Sequence, residues 1–153
     1  MSVFRKLLSL CVAVLCVMSF TACSQSGSSA SFFPTDYGFS VQLPESVQEN
    51  IRYDLSNREV GDETINTINV VYQGETGEAN ILTFEEMSSA MWEQMQSEGG
   101  PLPTELGASE DDRVVVMYPL QSNPYEAGTA DADAVDLFVS ESSIVTESFQ
   151  FLQ

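Results

Sequence analysis

Hydrophobic and polar residues alternate with a period of two in several short segments of this 153-residue chain. Such alternation is typical of β-strands that bury one face and leave the other in water. It occurs in segments 37–43, 51–56 and 64–73, and the hairpin signal "GETGE" then leads to a fourth segment at 79–84. The apolar positions expected to face inward are Phe39, Val41, Leu43, Ile51, Tyr53, Leu55, Ile68, Val70 and Tyr72. Short polar connections between the four segments predict an antiparallel meander.

The hydrophobic period changes after residue 83, where the chain reads "TFEEMSSAMWEQMQSEGGP". Thr83, followed by a glutamate three residues later, fits a helix capping box. Met87, Met91 and Met95 then recur at four-residue steps, and "GGP" ends the segment. The sequence therefore predicts an amphipathic helix over residues 85–97, with the methionine side chains on one face.

Two further segments complete the predicted elements. The apolar segment "RVVVMYP" at 113–119 predicts a strand in the interior of the sheet. Residues 130–148 carry acidic residues in their first turns and predict a helix, although "SIVTESFQF" also fits a short strand. The apolar residues near helical spacing are Val135, Phe138, Val139, Val145 and Phe149. We therefore expect an α+β fold: an antiparallel sheet of about five strands with two helices, in the order β-β-β-β-α-β-α.

The N-terminal region carries a targeting pattern. Arg5 and Lys6 precede fourteen residues without a charge, and the motif "FTAC" occupies residues 20–23. A basic start, a short apolar stretch and small residues before a break describe a secretory signal peptide. The motif resembles the lipobox of bacterial lipoproteins, with Phe20 where leucine is usual. That resemblance implies cleavage before Cys23 and a diacylglyceryl thioether on its sulfur.

The expected organisation has three parts. Residues 1–22 form the lipoprotein signal peptide, residues 23–33 form the acylated cysteine and a flexible Ser/Gly linker, and residues 34–153 form one α+β domain. Two or more acyl chains, such as palmitate, would hold the domain stably on the membrane, since one chain gives only marginal binding. Two alternatives stay open: an ordinary signal peptide cut nearby, which leaves a free cysteine, and an uncleaved N-terminal anchor helix.

The composition of the expected mature chain excludes several kinds of chemistry. Cleavage before Cys23 would leave 131 residues with all 23 acidic residues but only Arg52, Arg58 and Arg113 as basic ones, a net charge of −20. This portion has no lysine, no histidine and no second cysteine. Imidazole-based catalysis, lysine Schiff bases, zinc sites of Cys and His, and internal disulfides are thereby excluded from it. Nucleic acid and anionic lipid surfaces are disfavoured as partners, because they would repel so acidic a chain.

Short motifs in the folded part carry a second resemblance. The opening "GFSVQLP" after Tyr37, a helix after the fourth strand, an apolar strand and a terminal "ESFQFL" are similar to the PsbP-like group. They look closer still to small uncharacterised lipoproteins of Gram-positive-type bacteria that begin "YGFSF-LP". The resemblance covers residues 37–152 loosely and implies the fold. It carries no catalytic residue.

Acidic clusters are the first candidates for a binding site. Asp131, Asp133 and Asp136 have a spacing similar to that of a calcium loop, but the glycine and the later glutamate of an EF-hand are missing. We interpret them as favourable charges at a helix N-terminus. The acidic run at residues 110–112 is interpreted as a solvated turn before the next strand.

The methionine row is the other candidate. Met87, Met91 and Met95, with Trp92 beside them, have the spacing of a helix face that packs on a core, which is the interpretation we prefer. If these four side chains were exposed, they would line an adaptable groove for a peptide partner. Exposed thioethers could also bind Cu(I).

These observations predict an outward-facing lipoprotein of the cell membrane, held by lipid on Cys23, with a non-catalytic binding or accessory role in the cell envelope. An envelope protein or peptide is the expected partner, and no catalytic residue, metal or cofactor is expected. One alternative is a hydrolase of wall glycans, which would need two carboxylates converging across a cleft. The other is a cation-binding accessory protein.

Overall fold

The computed structural model describes residues 37–152. The predicted signal peptide, Cys23 and the linker lie outside the described residues, so these parts of the organisation stay predictions. Within residues 37–152, no helix combines the length and the apolar character needed to cross a membrane.

The described residues form seven strands, three α-helices and a 3-10 helix. The strands are β1 (Phe39–Ser40), β2 (Ile51–Val60), β3 (Glu63–Gly74), β4 (Gly77–Ser88), β5 (Thr104–Ala108), β6 (Arg113–Pro119) and β7 (Gln150–Phe151). The helices are α1 (Ser89–Glu98), α2 (Ala130–Glu141) and α3 (Ser143–Ser148), and a 3-10 helix spans Glu45–Asn50. The α+β class and the five-stranded antiparallel sheet expected from the sequence are confirmed.

Five strands form the main sheet in the order β2-β3-β4-β6-β5, and every neighbouring pair is antiparallel. The pairing of β3 with β4 shifts by one residue, because Val70 lies opposite Leu82 whereas Val71 lies opposite Asn80. Ile81 is the extra residue of this β-bulge, and it is buried in the same hydrophobic cluster as Leu82. The bulge therefore lets two consecutive side chains enter one core.

The two faces of the main sheet bury separate hydrophobic clusters. The larger cluster, the main core, includes Phe84, Val115 and Phe138, and it lies between the sheet, α2, α3 and the 3-10 helix. The smaller cluster lies under α1 on the opposite face and consists of Ile65, Met87, Met91, Trp92, Val114 and Val116. Because consecutive residues of β6 enter different clusters, this strand is apolar on both faces, as the sequence predicted.

The two ends of the described chain meet beside the main core. Phe39 and Ser40 of β1 pair with Phe151 and Gln150 of β7. The backbone N–H of Leu152 also donates a hydrogen bond of 2.8 Å to the carbonyl oxygen of Gly38. The first and last described segments are therefore held together by backbone hydrogen bonds.

Several strand assignments need correction. Of the first predicted strand only Phe39 and Ser40 are regular strand, and they pair with the C-terminal end instead of joining the main sheet. Leu55, predicted to face inward, is 52% exposed, because only Ile51 and Tyr53 of β2 pack against the main core. Strand β5 was not predicted, since "TELGA" shows little alternation of apolar and polar residues.

The helix assignments also differ from the prediction. Strand β4 continues to Ser88, and α1 begins at Ser89, because the hydroxyl of Ser88 accepts a hydrogen bond of 3.1 Å from the backbone N–H of Met91. Thr83 is therefore not a cap. The predicted C-terminal helix is divided into α2 and α3 and ends in strand β7, so both alternatives for this segment hold in part. Val139 is 46% exposed instead of packed inward.

Candidate functional site

The sheet face on which α1 packs also carries a concentration of polar side chains beside the cluster under α1. We call this region the polar face and define it by Arg58 of β2, Asn69 of β3, Tyr118 of β6, and Asn80, Thr83 and Glu85 of β4. Strand register brings these residues together, because Thr83 lies opposite both Asn69 and Tyr118. The polar face adjoins the cluster under α1, because Tyr118 packs against that cluster and Arg58 lines a cavity together with Met91 of α1.

Glu85 is the most unusual side chain of the polar face, because it is a carboxylate only 8% exposed. Arg58 donates to both of its carboxylate oxygens from Nη2 at 3.3 Å. The hydroxyl of Tyr118 donates a third hydrogen bond, of 3.0 Å, to Oε2. A buried charge is destabilising unless it is paired and hydrogen-bonded, so these two partners allow Glu85 to remain within the sheet surface.

Burial, the negative charge of Glu85 and the hydrogen bond that the hydroxyl donates to Glu85 together raise the pKa of Tyr118 to about 12, against a smaller lowering effect of Arg58. The protonated phenol is therefore the form that the native state favours. Tyr118 is a fixed hydrogen-bond donor to Glu85 at any ordinary pH.

Alkaline titration should reveal this arrangement. Tyr118 ionises near pH 10 in the unfolded chain and near pH 12 in the folded one, so its contribution to stability is complete below about pH 10 and disappears as the pH rises to about 12. We expect the free energy of unfolding, measured by urea denaturation, to fall over this interval, and to fall less steeply in Tyr118→Phe. The slope should not vanish, because burial also raises the pKa values of Tyr53, Tyr72 and Tyr125. An unchanged slope in Tyr118→Phe would contradict the buried pairing.

Three neutral side chains of the polar face form a hydrogen-bonded ladder. The side-chain amide of Asn80 donates to Thr83 Oγ1 at 2.8 Å and to Asn69 Oδ1 at 3.1 Å. Thr83 donates in turn to Asn69 Oδ1 at 2.8 Å. Side chains that bond one another in this way are held in fixed orientations before any ligand arrives.

A shallow cavity of about 310 Å³ opens beside this ladder, between residues 80–83 of β4 and residues 118–122 at the C-terminal end of β6 and just after it. Its lining includes Asn80, Thr83 and Tyr118, together with Pro119, Leu120 and Gln121. None of its nine lining residues is charged. The cavity therefore differs from the rest of an acidic surface, which matters for the kind of ligand it would accept.

The three aspartates of α2 lie in different environments. Asp131 is 4% exposed and caps the turn between β3 and β4, where its carboxylate accepts hydrogen bonds of 3.1 Å from the backbone N–H groups of Glu75 and Thr76. Asp136 accepts a hydrogen bond of 2.8 Å from Asn123, and Asp133 is exposed. Asp131 and Asp133 lie in the first turn of α2, as predicted.

Asp131 has a structural role in joining α2 to the hairpin of β3 and β4. Burial alone would raise the pKa of its carboxyl group, but hydrogen bonds from the Thr76 and Glu75 backbone and from the hydroxyls of Thr76 and Tyr72 hold the pKa below its usual value. The approach is close, since a Cβ atom added to Gly74 would lie 2.7 Å from the carboxyl carbon of Asp131. Glycine at residue 74 is therefore what lets the carboxylate reach the turn.

The acidic run at residues 110–112 forms the turn between β5 and β6. The backbone N–H of Ser109 donates to the carbonyl oxygen of Arg113 at 2.8 Å, and Asp112 has a φ of +61°. Among residues 37–152, no three His, Cys, Asp or Glu side chains are grouped so as to hold a metal ion.

The predicted partner groove is mostly buried. Met87, Met91 and Trp92 are 2%, 8% and 7% exposed and belong to the cluster under α1. Only Met95 is partly exposed, at the edge of a cavity of about 220 Å³. Met87 lies in β4 whereas Met91 and Met95 lie in α1, so the three methionines do not form one helical row. The core-facing interpretation fits three of these four positions.

Each of the three arginines of the folded part is paired with a carboxylate. Arg52 contacts Asp54 and Glu78, and Arg113 contacts Glu86 at 2.9 Å while its guanidinium lies 5.6 Å from the ring centroid of Phe151. With Arg58 bound to Glu85, the described residues present no unpaired cation that would attract an anionic ligand.

The sheet also places two glutamates on either side of one buried residue. Glu85 of β4 and Glu105 of β5 both lie opposite Val116, which is fully buried. Glu105 accepts a hydrogen bond of 2.8 Å from the indole N–H of Trp92. The space between the two carboxylates is occupied by the cluster under α1, which leaves no cleft for a sugar between this pair.

Comparison with protein-family models, with curated proteins and with solved structures finds no match for this chain. The resemblance to lipoproteins and to the PsbP-like group therefore stays a prediction. Sequence reasoning also missed the polar face, because it assigned Glu85 to a helix, whereas the structure places it in a strand. Residues 85–88 belong to β4 because they pair with β6, and the local sequence pattern did not show this pairing.

Proposed function

We propose that this protein is a lipid-anchored, extracytoplasmic binding protein of the cell envelope, without catalytic chemistry of its own. Lipid on Cys23 would hold it to the membrane, and the linker at residues 23–33 would let the folded domain move above the surface. The polar face would contact the ligand or partner. The "FTAC" motif supports the location, and the composition supports a role in binding.

The observation that carries the binding role is the position of Glu85. Glu85 is 8% exposed and bound to Arg58 and Tyr118, and its hydrogen bond from Tyr118 orients a side chain that lines the cavity beside the neutral ladder. Such preorganisation favours binding, because the ligand does not have to order these side chains. The arginine side chain of this ion pair is 50% exposed, and such a pair contributes little to stability, so its placement here is better explained by a surface that must remain polar.

Site-specific photo-crosslinking in intact cells tests this proposal. A benzophenone amino acid would replace Gln121 at the cavity or, as the matched control, Leu137 of α2, which is 48% exposed on the other side of the main core. We expect crosslinked adducts with an envelope component from residue 121 and few or none from residue 137. Equal yields from both residues, or adducts from residue 137 alone, would contradict a binding role for the polar face.

A further inference from the structure

We infer that the cavity beside the ladder of Asn69, Asn80 and Thr83 binds a neutral carbohydrate. This inference rests on the proposed binding function and names its ligand class. The site consists of Asn80 and Thr83 of the ladder together with Tyr118, Leu120 and Gln121, and apart from Thr83 sequence analysis singled out none of them as a candidate.

The charge of the surroundings excludes ionic ligands. An anionic ligand would meet a domain with a large excess of carboxylates, and the nearest cation of the polar face, Arg58, is already bound to Glu85. A cationic ligand would find no carboxylate in the lining. Glu85 itself is largely shielded by Arg58 and Tyr118. A neutral polar ligand is the class that remains.

The hydrogen-bonding groups fit adjacent hydroxyl groups. Both amide hydrogens of Asn80 and the carbonyl oxygen of Asn69 are used within the ladder. At the cavity this leaves the side-chain carbonyl of Asn80 as an acceptor, and the hydroxyl of Ser122, which also lines the cavity, as a donor or acceptor. An acceptor and a donor in one cavity complement the hydroxyls of a sugar, each of which both donates and accepts. Leu120 and Pro119 supply an apolar surface for the C–H face of a sugar ring.

The backbone of the site argues against a peptide as the ligand. Extended peptides usually bind by adding a strand to a free sheet edge. Strand β4 pairs with β3 along the cavity, but with β6 only from Leu82, opposite Pro119, so Asn80 and Ile81 are the lining residues on a free edge. A two-residue edge within the lining offers a peptide little main-chain pairing, and recognition is assigned chiefly to side chains. A volume of about 310 Å³ lies at the lower end of the range for ligand cavities, about 300–1,000 Å³, and suits about one or two sugar units.

The test is a titration of the full-length protein, purified in a detergent without a sugar headgroup. The probes are neutral trisaccharides of β-linked N-acetylglucosamine, β-linked glucose and α-linked glucose, with a trisaccharide of galacturonic acid and a neutral tripeptide as comparisons. We expect saturable calorimetric binding of at least one neutral trisaccharide and none of the acidic one. Asn80→Ala and Gln121→Ala should each weaken that binding roughly tenfold.

Asn57→Ala is the matched control, because Asn57 is exposed on β2 and is not part of the cavity lining. Its affinity should equal that of the parent. If Asn80→Ala disturbs folding, Gln121→Ala still tests the inference, because Gln121 is outside the hydrogen-bonded ladder. Failure of every neutral trisaccharide to bind, preferential binding of the tripeptide, or unchanged affinity in Gln121→Ala would overturn the inference. Anchoring through Cys23 is measured in a separate experiment, so failure of the titration does not contradict membrane anchoring. Failure of membrane anchoring likewise does not contradict sugar binding.

Discussion

Replacing Cys23 with alanine is expected to release the protein from the membrane. The motif "FTAC" predicts that this sulfur carries the lipid, and no other cysteine is present after it. Because stable anchoring requires more than one acyl chain, loss of the acylated residue should remove essentially all of the hydrophobic attachment. We expect the parent protein in the membrane fraction and Cys23→Ala in the soluble extracytoplasmic fraction. Metabolic labelling with radioactive palmitate should label the parent alone.

The other two interpretations of the N-terminus give different outcomes. An ordinary signal peptide would release both the parent and Cys23→Ala into the soluble fraction, without palmitate label in either. An uncleaved anchor helix would keep both proteins in the membrane at the mass of the full chain. Ser24→Ala is the matched control, because it changes the neighbouring residue and leaves the sulfur in place. Membrane retention of mature, unlabelled Cys23→Ala would refute lipid anchoring.

Replacing Phe84 with alanine is expected to have the largest effect on folding. Phe84 is fully buried in the main core, where its ring centroid lies 5.8 Å from that of Phe39. Truncation of a buried phenylalanine removes the transfer free energy of the ring and leaves a cavity, which together lower the free energy of unfolding by about 3–5 kcal/mol. Since domains of this size are stable by about 5–15 kcal/mol, this loss should remove at least about a fifth of the free energy of unfolding.

Urea denaturation measures this effect, with Leu55→Ala as the matched control on the same sheet. Leu55 is 52% exposed, so its truncation should lower the midpoint only slightly. If Phe84→Ala cannot be isolated in a folded form, Phe84→Leu should still lower the free energy of unfolding by about 1–2 kcal/mol. Equal midpoints for the Phe84 and Leu55 variants would show that the main core is not organised around β4.

Local pattern was sufficient for the strands whose alternation is strong. The meander of β2, β3 and β4 follows from apolar residues at alternate positions and from the hairpin signal "GETGE" between β3 and β4. Strand β6 was recognised because both of its faces are apolar. Strand β5 was not recognised, because "TELGA" contains only one large apolar residue. This segment is a strand because it pairs with β6.

The junction of β4 and α1 shows why the site was harder to predict. The spacing of Met87, Met91 and Met95 satisfied a helical period, although Met87 lies in the strand and the other two lie in the helix. Both assignments place these side chains in the same cluster. Hydrophobic period alone therefore could not locate the boundary, and an error of four residues placed Glu85 in the wrong element.

The sequence by itself determined the α+β class, the acidic charge, and the absence of lysine, histidine and a second cysteine after Cys23, because these depend on local pattern and composition. Tertiary structure alone decided which polar groups meet. Glu85 reaches Arg58 across 27 residues, and Asp131 reaches the backbone of Thr76 across 55. Contacts between residues so distant in sequence depend on strand register and on how a helix docks. Neither property is encoded in the residues immediately around a side chain.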